Sequence, residues 1–214
     1  MKFFYELNFV YLKSNNPKNT MNFLAHIHLS GENEFIKIGN FMADGVRGKQ
    51  YENFAPEIQK GILLHRAIDT FTDAHPIFRQ STKRLHSRYH HYAGVIVDLY
   101  YDHFLAKNWP THSDEGLENY AARFYQSLLD NHAILTTKTQ HLLPYMMEHN
   151  WLVSYQSVPG LERILSQMDN RTKNQSQMRF AGEELVAHYA IFEEEFTLFY
   201  EELQLFAKQK LTQL

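Results

Sequence analysis

Apolar residues recur along most of this chain at the three- and four-residue spacing of an amphipathic α-helix, without clear strand-like alternation. The most regular stretch lies near the C-terminus and predicts one long helix with a continuous apolar stripe. The stripe consists of Leu185, Tyr189, Phe192, Phe196, Phe199, Leu203 and Phe206, and Glu193, Glu194, Glu195, Glu201 and Glu202 are expected on the other faces of the helix. The pattern predicts an all-α helical bundle.

Turn-forming residues divide the rest of the chain into further predicted helices. A helix begins at Pro56, because proline is tolerated in a first turn, and it ends at His75-Pro76. Residues 77–92 form a basic helix, and the strongly apolar residues 93–109 form a central one. The remaining elements are 21–29 (helix or strand), 31–48 (a short helix flanked by turns), 117–132, 142–155 and 161–168, the last two separated by Pro159-Gly160.

The first twenty residues differ in character from the rest of the chain. They begin apolar and end in the polar, turn-rich stretch SNNPKNT, and Met21 then opens a new apolar pattern. We therefore predict a single all-helical domain over residues 21–214 and, over residues 1–20, either a flexible or poorly packed N-terminal extension or sequence upstream of a start at Met21.

Composition narrows the classes of function. The 21 basic and 24 acidic residues give a net charge of −3, so no overall charge favours nucleic acid as a partner. The absence of cysteine excludes disulfides, thiolate metal sites and cysteine nucleophiles, and it agrees with a cytoplasmic protein. No apolar run approaches the roughly 20 residues that cross a membrane, so membrane insertion is not expected.

Two of the predicted helices carry acidic and imidazole side chains at helical spacing. His65, Asp69 and Asp73 follow one another four residues apart, and Asp98 and Asp102 do the same on the central helix. Residues at i and i+4 share one face of a helix. Burying unpaired charges costs several kcal/mol each, and a divalent cation would remove that cost. The spacing therefore favours a metal site.

Histidine and aspartate elsewhere in the chain enlarge the candidate ligand set. His26 lies in an apolar segment, and Asp44 precedes a glycine turn. Mixed imidazole and carboxylate ligands without sulfur favour Mn²⁺, Mg²⁺ or Fe²⁺ over structural zinc. Such a site activates water for attack at phosphorus, which predicts a metal-dependent phosphohydrolase. The candidate metal ligands are His26, Asp44, His65, Asp69, Asp98 and Asp102.

A local run of basic residues follows the first of these helices. At helical spacing, Arg79 pairs with Lys83 and Arg84 with Arg88, which gives a basic face on an acidic protein. A solvated helix face is the simpler interpretation. Because the run directly follows the Asp/His helix, it is also a candidate rim of the site that would attract a phosphate or an acidic protein.

Four segments together resemble a known family. MNFLAHIHLS, GNFMADGVRG, GILLHRAIDTFTDAHP and VDLYYDHFLAKNW, in this order, resemble the bacterial acyl carrier protein phosphodiesterases, which look like relatives of the all-helical HD phosphohydrolases. The resemblance implies hydrolysis of the phosphodiester between 4′-phosphopantetheine and a serine of holo acyl carrier protein, with manganese as cofactor. The chain departs from the HD pattern because the contiguous His-Asp pair is absent and the nearest pair, Asp102-His103, is reversed.

The resemblance marks particular positions, and the chemistry of the side chains suggests roles for some of them. The family motifs include His26, Asp44, His65, Asp69, Asp73, Asp98, Asp102 and His103. His103 or His26 is a candidate proton donor to the leaving serine. Asp73 is a candidate either for supporting a metal ligand from the second coordination sphere or for transferring a proton. Arg47 or Arg66 is a candidate for holding a phosphoryl oxygen. Since acyl carrier proteins are small and acidic, the basic run at 79–88 is a candidate docking surface.

Two alternatives remain open from the sequence. The first is a metal phosphohydrolase of a nucleotide or another small phosphodiester on the same fold, for which the basic run would matter little. The second is a non-catalytic helical binding protein whose histidines are structural, which would bind no metal.

Overall fold

The computed structural model describes residues 23–214, and the regular secondary structure within that range is entirely helical, which confirms the all-α prediction. Residues 1–20, predicted to be an extension, lie outside the described residues. The α-helices of the described range are α1 Phe23–His28, α2 Glu34–Met42, α3 Pro56–Ala74, α4 Pro76–Tyr89, α5 Ala93–Lys107, α6 Leu117–Asp130, α7 Thr137–Glu148, α8 Trp151–Ser154, α9 Val158–Arg171, α10 Ala181–Ala187 and α11 Tyr189–Gln213.

Three predicted helix boundaries were wrong. The long C-terminal helix is interrupted at His188, whose backbone leaves the helical region, so Leu185 belongs to α10 and the rest of the stripe to α11. Pro159 and Gly160 do not separate two helices but lie in the first turn of α9, where proline fits. The predicted helix 142–155 is divided by Asn150, whose φ of 42° is left-handed.

Glu195 was wrongly placed on an outer face of the C-terminal helix. It is buried and accepts hydrogen bonds from Ser81 and Gln80 on α4, while the Arg84 guanidinium binds both of its oxygens at 2.8 Å. A carboxylate inside a protein needs such partners. Glu195 therefore ties α11 to α4, which its position in a run of glutamates did not reveal.

Helix α5 occupies the centre of the molecule, as its apolar sequence predicted. Thirteen of its fifteen residues are buried, on all of its faces. Asp98, Asp102 and His103 are among them, so each needs a polar or ionic partner in the interior. Within residues 23–214, none of the helices combines the length and apolar character that crossing a membrane requires.

Helices α2 and α3 cross at two glycines and bring the polar residues of the site together. A methyl group on Gly39 would lie 2.3 Å from the carbonyl oxygen of Ile58, and one on Gly61 would lie 2.2 Å from that of Ile36. Only glycine permits so close a backbone approach. The crossing places Asn40 of α2 beside His65 of α3.

Candidate metal centre

Two imidazoles and a carboxylate converge between α1 and α3. The Nε2 atom of His26 lies 3.3 Å from Oδ1 of Asp69, and Nε2 of His65 lies 3.3 Å from the other oxygen of the same carboxylate. The two rings stack with their centroids 4.1 Å apart. One donor atom from each of the three residues falls within 4.8 Å of the others, a spacing compatible with a shared cation.

Asn40 fixes the protonation pattern of both rings. Its Nδ2 donates to the carbonyl oxygen of His26 and to Oγ of Ser30, each at 2.9 Å, so its Oδ1 is the acceptor that faces the rings. The Nδ1 atoms of His26 and His65 lie 2.7 and 3.1 Å from that oxygen, and both must therefore carry a proton and donate. In a neutral imidazole this leaves Nε2 with a lone pair.

The two Nε2 atoms have no hydrogen-bond partner although both are buried. Each faces carboxylate oxygens at 3.3 to 3.5 Å, where a neutral imidazole would set lone pair against lone pair, so either a proton or a cation must lie between the two groups. A divalent cation accepts lone pairs from both imidazoles and from Asp69 at once. Second-sphere hydrogen bonds from Nδ1 are the usual support of metal-binding histidines, and Asn40 provides them. The donor set therefore fits a divalent metal ion.

The close approach of these imidazole and carboxylate groups also shifts their pKa values. Burial alone would lower the pKa of His65, but the carboxylates of Asp44 and Asp69 outweigh it and raise that pKa to about 9. Burial and the neighbouring His65 lower the pKa of His26. Burial would raise the pKa of Asp69, yet the two imidazoles hold it well below its usual range. The site thus stabilises an anionic Asp69 facing positive charge.

A second carboxylate borders the cluster. Oδ1 of Asp44 lies 3.5 Å from Nε2 of His65, and Oδ2 lies 3.7 Å from Nζ of Lys138 in the first turn of α7. Asp44 is only partly buried, and the next residue, Gly45, lies directly against Thr136, the N-cap of α7. The short helical turn after α2 and the start of α7 therefore form the edge of the site.

Asp98 is a further acid and is buried on the central helix, α5. Burial raises its pKa well above the usual value, and the negative charges of Asp69 and then Asp102, Asp73 and Asp44 add to the effect. Asp98 is therefore a buried carboxyl group in an acidic environment, and it is not one of the three described residues whose donor atoms converge. Binding a cation beside it would reverse this unfavourable balance.

Asp102 lies elsewhere, although it shares the face of Asp98. Its two carboxylate oxygens accept hydrogen bonds from the backbone N–H groups of Leu24 at 3.0 Å and Ala25 at 2.9 Å, in the first turn of α1. Burial raises the pKa of Asp102 to about 7, against the lowering by these two N–H groups. Asp102 thus anchors the N-terminus of the helix that carries His26, where an acid is favourable.

His103 and Asp73 are not brought into the cluster either. Both ring nitrogens of His103 are engaged at a different place, Nδ1 with the carbonyl oxygen of Tyr155 at 2.7 Å and Nε2 with the Tyr189 hydroxyl at 2.8 Å. Asp73 lies one turn beyond Asp69 on α3 and is exposed. Its carbonyl oxygen accepts a hydrogen bond from Arg79 at 2.8 Å.

The two arginines predicted near the phosphate differ in their surroundings. Arg66 donates to the carbonyl oxygen of Val46 at 3.0 Å, and its guanidinium lies 5.2 Å from the ring centre of Tyr51. These contacts fix the loop that follows Asp44. Arg47 is exposed in that same loop.

The four residues of the predicted basic face differ in their surroundings: two form ion pairs with other residues of the protein, and two are exposed. Arg84 and Arg88 form ion pairs within the protein, Arg84 with Glu195 and Arg88 with Glu184 at 2.9 Å. Arg79 and Lys83 are exposed on α4. The outward basic surface of this helix therefore rests mainly on Arg79 and Lys83.

Two residues of the site were not predicted from the sequence. Asn40 left a weak signal, because it is a polar residue between apolar ones in the motif GNFMADGVRG. No sequence pattern pointed to Lys138, because only the fold brings α7 close to Asp44.

The fold and the cluster define an all-helical protein with a buried histidine–carboxylate site suited to a divalent metal. A family model described as acyl carrier protein phosphodiesterase matches residues 21–203 of the chain. The chain therefore belongs to the acyl carrier protein phosphodiesterase family.

Relatives with that name agree over most of their length. The proteins named acyl carrier protein phosphodiesterase from Yersinia enterocolitica and Escherichia coli O157:H7 are 30% and 32% identical to the chain, and each match covers 89% of the chain and 99% of the relative. The protein of the same name from Photorhabdus laumondii is 32% identical over 84% of the chain and 91% of the relative. No solved structure matches the chain. The likeness to HD phosphohydrolases stays a prediction.

Proposed function

We propose that the protein is a metal-dependent hydrolase that cleaves the 4′-phosphopantetheine phosphodiester of holo acyl carrier protein and releases the apo carrier. The observation that carries this proposal is the convergence of the two buried imidazoles of His26 and His65 on the carboxylate of Asp69, in a chain of this family. A cytoplasmic location follows from the proposed substrate.

The residues of the cluster would hold Mn²⁺, or Mg²⁺ or Fe²⁺ in its place. His26, His65 and Asp69 supply the converging donors, Asp44 borders them as a further acid, and Asp98 stays a predicted ligand. When bound, the cation supplies Lewis-acid activation of water and neutralises charge on the phosphoryl oxygens.

Other residues act on these donors rather than on the substrate. Asn40 accepts from both Nδ1–H groups and so directs both Nε2 atoms toward the same point. Asp102 anchors α1 and thereby positions His26. We leave His103 out of the proposed machinery, because its two nitrogens are engaged with Tyr155 and Tyr189. Arg47 stays a candidate for phosphate binding at the exposed edge.

Metal removal tests the proposed activity directly. Purified protein with holo acyl carrier protein and Mn²⁺ is expected to lower the carrier's mass by that of phosphopantetheine, and a chelator should stop the reaction until Mn²⁺ is restored. Mass spectrometry of the carrier measures both. A carrier mass that stays unchanged with every divalent metal tried would refute the function, and hydrolysis unaffected by chelation would refute the role of the metal.

A second proposal concerns how the carrier protein is bound. Arg79 and Lys83 are the exposed cations of α4, the helix that follows the one carrying His65 and Asp69. An acidic partner protein is attracted by such charges, mainly through the rate of association and in a salt-dependent way. Arg84 and Arg88 contribute less, because their guanidinium groups are paired inside the protein.

Charge reversal on this face should weaken binding of the carrier without changing the chemistry. Arg79→Glu combined with Lys83→Glu is expected to raise KM for holo carrier roughly tenfold, with kcat unchanged and a weaker dependence on salt. Steady-state kinetics at two salt concentrations measure the effect. Lys208→Glu with Lys210→Glu, two lysines near the end of α11, is the matched control. Equal KM values for the two double variants would remove the docking assignment and favour a small phosphodiester as substrate.

A further inference from the structure

We propose that Lys138 is a substrate-binding residue whose ammonium group contacts a non-bridging oxygen of the phosphodiester at the cluster. This inference rests on the proposed function, because it names the group that receives the substrate's phosphate at that same site.

The position of Lys138 carries the proposal. Its Nζ lies 3.7 Å from Oδ2 of Asp44, whose Oδ1 lies 3.5 Å from Nε2 of His65. One carboxylate therefore separates the ammonium group from the donors of the cluster. The side chain of Lys138 is 26% exposed, whereas His65 is 7% exposed. Lys138 thus lies between the buried donors and solvent, where a phosphodiester attached to a protein must enter.

The negative charge of the site makes a cation at its edge favourable for binding an anionic substrate. The carboxylates of Asp44 and Asp69 lie beside the imidazole donors, and a phosphodiester brings a further negative charge. A cation at the edge lowers this repulsion and favours entry of an anion.

Arg66 is less suited to this role than Lys138. Arg66 is held by the carbonyl oxygen of Val46 and by the ring of Tyr51. A lysine is a compact charge on a flexible stem, which allows it to move from Asp44 to a phosphoryl oxygen when the substrate binds.

The start of α7 holds Lys138 in place. The Thr136 side chain accepts from the N–H of Thr139 and caps the helix, and Gly45 lies so close to Thr136 that a methyl group there would be 2.5 Å from its hydroxyl oxygen. The stem of Lys138 therefore begins at a fixed distance from the loop that carries Asp44. The positive end of α7 also favours an anion at this place.

A different role for Lys138 would leave a different signature. If the residue only neutralised Asp44, its removal would change the affinity of the site for metal and leave the affinity for phosphate unchanged. If it contacts the phosphoryl group, binding of phosphate weakens while binding of the metal stays nearly constant.

The test compares Lys138→Gln, Lys138→Arg and the surface control Lys208→Gln in the full chain. Calorimetry measures the Kd of Mn²⁺ for the metal-free protein and the Kd of inorganic phosphate for the Mn²⁺-loaded protein, and kinetics give KM and kcat on holo carrier. For Lys138→Gln we expect the phosphate Kd and KM to rise about 10- to 100-fold, which matches the loss of one charged hydrogen bond. The phosphate Kd and the KM of Lys138→Arg should lie between those of Lys138→Gln and those of the wild type. Lys208→Gln should resemble the wild type in both constants.

An unchanged phosphate Kd in Lys138→Gln overturns the proposal, whether or not the Mn²⁺ affinity changes. Failure of the proposed function has a separate signature, because the wild-type protein would then leave holo carrier intact. Phosphate binding that depends on Lys138 in such an inactive protein would still support the assignment of Lys138.

Discussion

Asp69→Asn is expected to lower kcat/KM on holo acyl carrier protein by at least about 1,000-fold and to abolish tight Mn²⁺ binding. Asp69 is the one carboxylate of the cluster within 3.3 Å of both imidazoles, His26 through Oδ1 and His65 through Oδ2. The amide keeps the shape of the side chain but removes the charge that balances a cation. Calorimetry with Mn²⁺ and the carrier mass assay measure the two losses.

Glu57→Gln is the matched control for this prediction. Glu57 is an exposed carboxylate in the first turn of the same helix, and it has no contact with the cluster. Its variant should keep both activity and Mn²⁺ affinity. Full activity and full metal occupancy in Asp69→Asn would show that Asp69 neither holds the metal nor takes part in the reaction.

The sequence predicted the part of the site that lies on one helix. His65 and Asp69 occur four residues apart, and helical geometry alone places them on one face. The same spacing in Asp98 and Asp102 led to a different outcome. Asp98 is buried, and the charge of Asp69 helps to raise its pKa, whereas Asp102 is covered by the first turn of α1 and accepts its N–H groups. Periodicity predicts which residues share a face, but not which neighbour covers each turn.

Contacts between segments that are distant in the sequence explain the features that the sequence did not predict. Glu195 belongs to a run of three glutamates, and its burial depends on Arg84 and Ser81 of α4. Asn40 and Lys138 enter the site only because α2 crosses α3 and α7 begins against Asp44. No local sequence pattern predicts these long-range contacts, because glutamate, asparagine and lysine are equally typical of a solvated surface.

Gly61→Ala is expected to destabilise the protein by about 3 kcal/mol and to weaken Mn²⁺ binding at the same time. The added methyl group would lie 2.2 Å from the carbonyl oxygen of Ile36, 2.7 Å from the N atom of Asn40 and 2.9 Å from Cα of Gly39. All three are backbone atoms, so rotation of a side chain cannot relieve the overlap. Urea denaturation of the metal-free protein and calorimetry with Mn²⁺ measure the two effects.

Gly94→Ala separates this packing effect from the helix preference of alanine. Gly94 is also helical, in α5, but a methyl group there meets no atom within 4 Å. Alanine should therefore stabilise the protein slightly at position 94, by up to about 1 kcal/mol, and leave Mn²⁺ binding unchanged. If Gly61→Ala lost stability but kept its Mn²⁺ affinity, the alignment of His65 by Asn40 would not depend on the α2–α3 crossing. Loss of both would show that one backbone contact sets the fold and the site together.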